Sequence, residues 1–175
     1  MVQKNKLKKI LKEQISLIKP DKETLKFLGG LSKQFTNALQ EEIRKEKINA
    51  EVFIGGSFAK GTLVKKYDYD IDVFVRFDYS YDNLSDPLEK LLKKVSKKMN
   101  LNLERLHGSR DYFRAYVKNR GYYFEVIPIT KIKRVQEERN VTDLTYFHVS
   151  YIKRKINGLE DDLRLAKAFC YAQKV

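Results

Sequence analysis

The segment Asp70-Ile71-Asp72-Val73-Phe74-Val75-Arg76-Phe77 constrains this chain more than any other. Successive side chains of a β-strand point to opposite faces, so Ile71, Val73, Val75 and Phe77 share one face and Asp70 and Asp72 share the other. One face is thereby committed to a core. The second carries two neighbouring carboxylates inside an apolar run, where an unpaired charge is costly and a like charge beside it adds to the cost. A divalent cation turns that repulsion into coordination. Oxygen-only ligands suit Mg²⁺, which also binds substrate phosphates.

A first apolar strand, Glu51 to Ile54, precedes this segment and runs into Gly55-Gly56-Ser57-Phe58-Ala59-Lys60-Gly61-Thr62. The chain turns there with no Cβ in the way, so backbone N–H groups and the Ser57 hydroxyl can approach phosphate oxygens at the start of a short helix. The order Lys60-Gly61-Thr62 differs from the Gly-Lys-Ser/Thr of a Walker loop. Gly-Gly-Ser alone marks a turn, and Asp-x-Asp alone a solvated strand. Together they outline a triphosphate and metal site.

Glu125 supplies a third acid, lying in the otherwise apolar run Tyr122 to Pro128. If that strand pairs beside the Asp70 to Phe77 strand, Glu125 joins the two aspartates; the alternative is a salt bridge to Arg114 or Arg76. Asp70, Asp72 and Glu125 are the expected metal ligands for two Mg²⁺ ions and phosphoryl transfer, with a ribose hydroxyl attacking. Gly56 and Ser57 would hold the β- and γ-phosphates, and Lys60 or Lys167 would neutralise the departing pyrophosphate.

The remaining chain reads as helices and short strands. Leu7, Ile10, Leu11, Ile15 and Ile18 recur at helical spacing until Pro20. Asp21 can cap a longer helix through Leu25, Leu28, Phe35, Leu39 and Ile43. A loop covers Tyr79 to Pro87, and Leu88 to Met99 reads as a helix. Leu101 to Leu106 and Tyr112 to Val117 alternate as strands, and Lys131 to Asn140 is a charged loop. Thr142-Asp143-Leu144-Thr145 can cap a helix from Phe147 to Ile156. Leu159, Leu163, Ala166, Lys167 and Cys170 trace a last helix. The expected class is α+β.

With 175 residues, 42% of them apolar, the chain can bury one core. Its net charge of +13 points to a polyanionic partner such as RNA, DNA or an anionic membrane. Lys-rich helices are consistent with RNA contact or with a solvated face. The single cysteine supports no disulfide framework, and no apolar run is long enough to span a membrane. A cytoplasmic protein without membrane attachment is expected.

On these residues the sequence resembles the archaeal class I CCA-adding enzymes of the polymerase β-like nucleotidyltransferase superfamily. Ile18 to Glu23 is similar to that family's "KPTxEE" segment, Gly56 to Thr62 to its "GSxARxTW" turn, Asp70 to Phe74 to "DIDIF", and Phe124 to Pro128 to "VDVVP". Asp143 to His148 looks like the "DRTPxH" segment that lines the nucleotide pocket, and Leu163 to Phe169 like the "VRLLKxF" helix. The resemblance implies a polymerase β-like fold, a short mixed sheet flanked by helices with a helical C-terminal extension, in which residues 1–140 would form the catalytic domain and residues 141–175 the start of a helical nucleotide-binding domain. It implies a template-independent transferase adding C, C and A to tRNA 3′ ends from CTP and ATP. It also implies nucleotide contacts from Gly56, Ser57, Lys60, Thr62, Thr145, His148 and Lys167. Three departures stand out. Glu125 replaces an aspartate, Ser109 to Arg114 replaces "EHPYxR", and the sequence ends at Val175 where the family's "YGAE" segment begins. A split or truncated enzyme is expected, completed by a second polypeptide that covers apolar surface on Leu163, Ala166, Phe169 and Tyr171. The alternatives are a minimal stand-alone transferase for another RNA, nucleotide or protein acceptor, and a non-catalytic RNA-binding module.

Overall fold

The computed structural model describes residues 2–173. Its helices are α1 (Val2–Ile18), α2 (Lys22–Lys45), α3 (Gly56–Ala59), α4 (Ser85–Met99), α5 (Thr145–Lys155) and α6 (Glu160–Ala172). Its strands are β1 (Ala50–Ile54), β2 (Tyr69–Phe77), β3 (Asn102–Leu106), β4 (Tyr112–Tyr116) and β5 (Tyr122–Thr130). The alternation of β2 decides the layering. Ile71, Val73, Val75 and Phe77 are fully buried, together with Phe113, Ala115, Phe124 and Val126 from β4 and β5. Against them pack Leu28, Phe35, Leu39 and Ile43 of α2 and Leu88, Leu91, Leu92 and Val95 of α4. Phe35 stacks on Phe124 with ring centroids 4.1 Å apart.

The strands form one sheet in the order β1-β2-β5-β4-β3. β2 and β5 run parallel, whereas β1–β2, β4–β5 and β3–β4 are antiparallel. A parallel pair needs a crossover, here supplied by α4, β3 and β4. Its register sets Asp72 opposite Glu125 and Asp70 opposite Tyr123. The β4 ladder ends at Val126, so β5 passes Pro128 where only β2 still pairs with it. That is how the strand extends beyond the expected end at Pro128.

Local chemistry explains other boundaries. Asp21 caps α2 by accepting from the Thr24 N–H at 2.7 Å. α4 starts three residues before the expected Leu88, because Asn83 accepts from the Ser85 and Asp86 N–H groups and Pro87 sits in the first turn, where a missing N–H costs nothing. α1 packs against α6, yet its apolar stripe stays open, with Leu7 56% and Leu17 65% exposed.

Asp143 is not the helix cap that its sequence position suggests. Asn140 caps a short 3₁₀ turn, Val141–Leu144, that leads into α5. The Asp143 side chain is fully buried. It pairs with the Arg110 guanidinium and accepts from the backbone N–H groups of Thr130 (2.7 Å), Arg139 (3.0 Å) and Asn140 (3.0 Å). Burial pushes its carboxyl up, but Arg110 and the Thr130 N–H outweigh that and hold it below the ordinary range. This staple fixes the start of α5 to the end of β5. Arg110→Ala leaves a buried carboxylate uncompensated, so urea denaturation is expected to show a loss of about 3 kcal/mol, with no such loss for Arg139→Ala, which removes only a side chain bound to exposed groups.

Candidate active site

The second sheet face carries Asp70, Asp72, Phe74 and Arg76 of β2, with Tyr123, Glu125 and Ile127 of β5 beside the first three. Asp72 sits against the turn that opens α3. The Gly55 N–H donates to the Asp72 backbone carbonyl at 2.9 Å. Gly56 has φ +59°, and a Cβ there would fall inside the Asp72 carboxylate; at Gly55 it would enter the Phe74 ring. The two glycines are therefore required by contact with β2 as well as by the turn. Burial, then the charges of Asp70 and Glu125, push the Asp72 carboxyl up to about 6.

Opposite the acids stands a cationic wall. A cavity of about 190 Å³ is lined by Ser57, Lys66, Asp70, Asp72, Lys167 and Tyr171, with Leu63 and Val64 at its floor. Lys66 forms an ion pair with Asp70. Burial would lower the Lys66 ammonium, but that pair outweighs it and holds the group above its ordinary value. Lys167 donates to the Thr62 hydroxyl at 3.1 Å and to the Thr62 carbonyl at 3.4 Å. Burial and then the charge of Lys60 push the Lys167 ammonium down, with Lys66 and Arg164 adding to the effect. Arg164 is buried, and donates to the carbonyls of Leu63 (3.0 Å) and Gly61, docking α6 onto the segment after α3.

The expected residues fall into four groups. Ser57, Asp70, Asp72 and Lys167 line one cavity, with Gly56 packed against Asp72 and Lys60 near enough for its charge to act on it. Glu125 takes its place opposite Asp72 but also makes the alternative contact, accepting from Arg114 at 3.1 Å. Thr62 is buried and supports Lys167 instead of facing the cavity. Thr145 and His148 lie on α5, away from the cavity wall. There Tyr146 packs edge-on to Phe53 at 5.3 Å and lies 3.8 Å under the Arg76 guanidinium.

Lys66, Arg164 and Tyr171 escape a linear reading. Arg164, Lys167 and Tyr171 are spaced i, i+3 and i+7, one helical face, so the inward side of α6 is polar. The apolar side chains of α6 are open to solvent, as expected for Leu163, Ala166, Phe169 and Tyr171, with Leu163 39%, Phe169 67% and Tyr171 63% exposed, although Tyr171 also lines the cavity. Lys66 lies in an irregular stretch between α3 and β2, where no periodicity signals its direction.

Among the described residues no group of three or more acids, histidines or cysteines is drawn together to hold an ion. The side chains show why, since Asp70 is held by Lys66 and Glu125 by Arg114. The donor set nevertheless fits a divalent cation. It is all oxygen, and the Asp72 carboxyl, raised by burial and then by the charges of Asp70 and Glu125, is one that such an ion would hold ionised.

A sheet of this topology, with paired acids beside a glycine-serine turn, defines a nucleotidyl-transfer fold. The chain belongs to the nucleotidyltransferase domain family, which matches residues 33–172. Among curated proteins it is similar to the CCA-adding enzyme of Nanoarchaeum equitans, with 42% identity over 121 residues, covering 68% of this chain and 29% of that protein. The CCA-adding enzyme of Methanocaldococcus jannaschii is 32% identical over 169 residues, covering 93% of this chain and 36% of that enzyme. The chain thus spans about a third of the length of these relatives. Among solved structures, Cid1, an RNA terminal uridylyl transferase, superposes with a TM-score of 0.72 at 14% identity, covering 95% of this chain and 47% of its own. No described helix is long and apolar enough to cross a membrane.

Two outcomes follow from the packing around Asp72. Gly56→Ala is expected to displace the Asp72 carboxylate and abolish Mg²⁺-dependent nucleotide binding, measured by calorimetry, while circular dichroism stays unchanged. Asp72 holds its proton more tightly when folded, up to about 6 against 3.8 unfolded. Its contribution to stability is therefore fully present below about pH 4 and is lost as the pH rises through 6, a change of about 3 kcal/mol. Asp72→Asn removes that loss. In EDTA its melting temperature is expected to exceed the native protein's at pH 7.5 and to match it at pH 3.5.

Proposed function

We propose that the chain is the catalytic portion of a tRNA nucleotidyltransferase that adds CCA to tRNA 3′ ends from CTP and ATP, the activity named for its relatives. One observation carries this reading. A single cavity sets the carboxylates of Asp70 and Asp72 on one wall and the ammonium groups of Lys66 and Lys167 on the other, where burial and like charge hold the Asp72 carboxyl above its ordinary value and the Lys167 ammonium below its own. A nucleoside triphosphate with its divalent cations relieves both walls at once.

In this reading Lys167 and Lys60 hold the β- and γ-phosphates and take up charge on the departing pyrophosphate. Ser57 donates to a phosphate oxygen, and Lys66 moves from Asp70 to the phosphates. The acceptor hydroxyl attacks the α-phosphorus as the bond to pyrophosphate breaks. Asp70, Asp72 and Glu125 would hold one or two Mg²⁺ ions, which supply activation of the attacking hydroxyl and charge neutralisation at the leaving oxygen. Residues 1–140 act as the catalytic domain. Residues 141–175 begin a helical unit whose last helix brings Lys167 to the nucleotide. The CCA-adding relatives are about three times longer, so tRNA-holding surfaces are assigned to further segments, on the same or a second polypeptide. A cytoplasmic location fits tRNA processing.

The test is incorporation of labelled CTP and ATP into tRNA lacking its 3′ end. Mg²⁺-dependent addition that falls to background in Asp70→Ala and Asp72→Ala is expected. The shared fold with Cid1 makes UTP the informative control: preferential addition of UTP to unstructured RNA would replace CCA addition with general terminal transfer, and an absence of Mg²⁺-dependent nucleotide binding would overturn both.

A further inference from the structure

In a phosphoryl transfer the attacking and leaving oxygens lie roughly in line, on opposite sides of the phosphorus. The cationic cluster for the leaving pyrophosphate lies beside β2, formed by Lys66, Lys167 and the turn after β1. The attacking hydroxyl must then arrive from the other side, across β5 and β4. The sheet register places two rows of side chains along that path. One runs Asp72, Glu125, Arg114, Glu104, and its neighbour runs Asp70, Tyr123, Tyr116.

A groove of about 350 Å³ opens at the end of these rows, around the β4–β5 turn. Its walls include Arg114, Tyr116, Lys118, Arg120 and Tyr123, with the carboxylates of Asp68 and Glu104 at its lips. Arg114 spends one guanidinium nitrogen on Glu125 and lies 4.6 Å over the Tyr123 ring, while its buried Nε has no hydrogen-bond partner. An unused buried donor is costly where nothing is to occupy it. The groove is also held in place. Asn119 and Gly121 take left-handed conformations (φ 60° and 70°), and the Gly121 carbonyl accepts from the Tyr69 N–H at 2.9 Å, tying the turn to the strand that carries Asp70 and Asp72.

We propose that this groove seats the last unpaired nucleotides of the RNA acceptor, delivering the terminal ribose to Glu125 and Asp72. The proposal rests on the transfer reading above. Arg114, Lys118 and Arg120 provide cations for successive phosphates, and the tyrosines provide faces for bases to stack on. Asp68 and Glu104 disfavour a free anion and accept from ribose 2′-hydroxyls, the group that separates RNA from DNA.

The experiment uses the whole chain and a short RNA ending in 4-thiouridine, cross-linked by light without Mg²⁺, with attachment sites mapped by mass spectrometry. Cross-links within residues 112–123 are expected, and cross-links confined to the lysine-rich faces of α1 and α2 would overturn the proposal. A second measurement protects against a chance reaction. The exposed double substitution Lys118→Glu/Arg120→Glu is expected to raise the KM for RNA about tenfold and to reduce the salt slope of RNA binding by about 2, while the KM for CTP stays within about twofold. A change in the CTP KM alone would overturn the groove. The two readings separate cleanly: hairpin cross-links in a chain that transfers nothing retain the groove and remove the transferase, and normal transfer with cross-links elsewhere does the reverse.

Discussion

Three like charges held on one sheet face are the constraint on which this structure turns. The parallel register of β2 and β5 leaves Asp72 beside Glu125 and keeps Asp70 two residues away on the same face. That placement is stable because the opposite face is wholly apolar: the Ile71-Val73-Val75-Phe77 set is locked against α2 and α4, so β2 cannot slip by one residue without exchanging core for acid. Core packing thus fixes the acids in place, and burial together with their repulsion raises the Asp72 carboxyl.

The surrounding polar groups answer that repulsion. Lys66 neutralises Asp70, Arg114 neutralises Glu125, and Asp72, the most enclosed of the three, is left to carry the strain. On the far side of the cavity the Lys167 ammonium is pushed the other way, by burial and then by the charge of Lys60. α6 reaches this position through Arg164, whose bonds to the Gly61 and Leu63 carbonyls join the segment after α3 to the last helix. The cavity therefore depends on a helix about 100 residues distant in sequence, the separation between Arg164 and Leu63.

The fold itself is shared with proteins of low sequence similarity such as Cid1. What distinguishes members of a nucleotidyltransferase family is then sought in the elements around the acid strand. In this chain those are the Arg110–Asp143 staple that anchors α5, and the rigid β4–β5 turn beside the third acid. Arg110 lies where the sequence departs from the motifs of CCA-adding enzymes, whereas Asp143 opens a segment that matches one of them.

The sequence by itself determined the two-faced strand, the glycine-serine turn, the cap at Asp21 and nearly every helix and strand, because alternation, helical spacing and capping are local properties of the chain. It also singled out Asp70, Asp72, Ser57 and Lys167, which line one cavity. Tertiary structure alone decided which strand lies beside β2, and therefore that Glu125 can both face Asp72 and bond Arg114. It alone turned Asp143 from a cap into a buried staple, placed Thr62 behind Lys167, and set the polar face of α6 inward. Those outcomes depend on contacts between segments far apart in sequence, where burial and opposing charge outweigh local preference, so no periodicity along the chain could announce them.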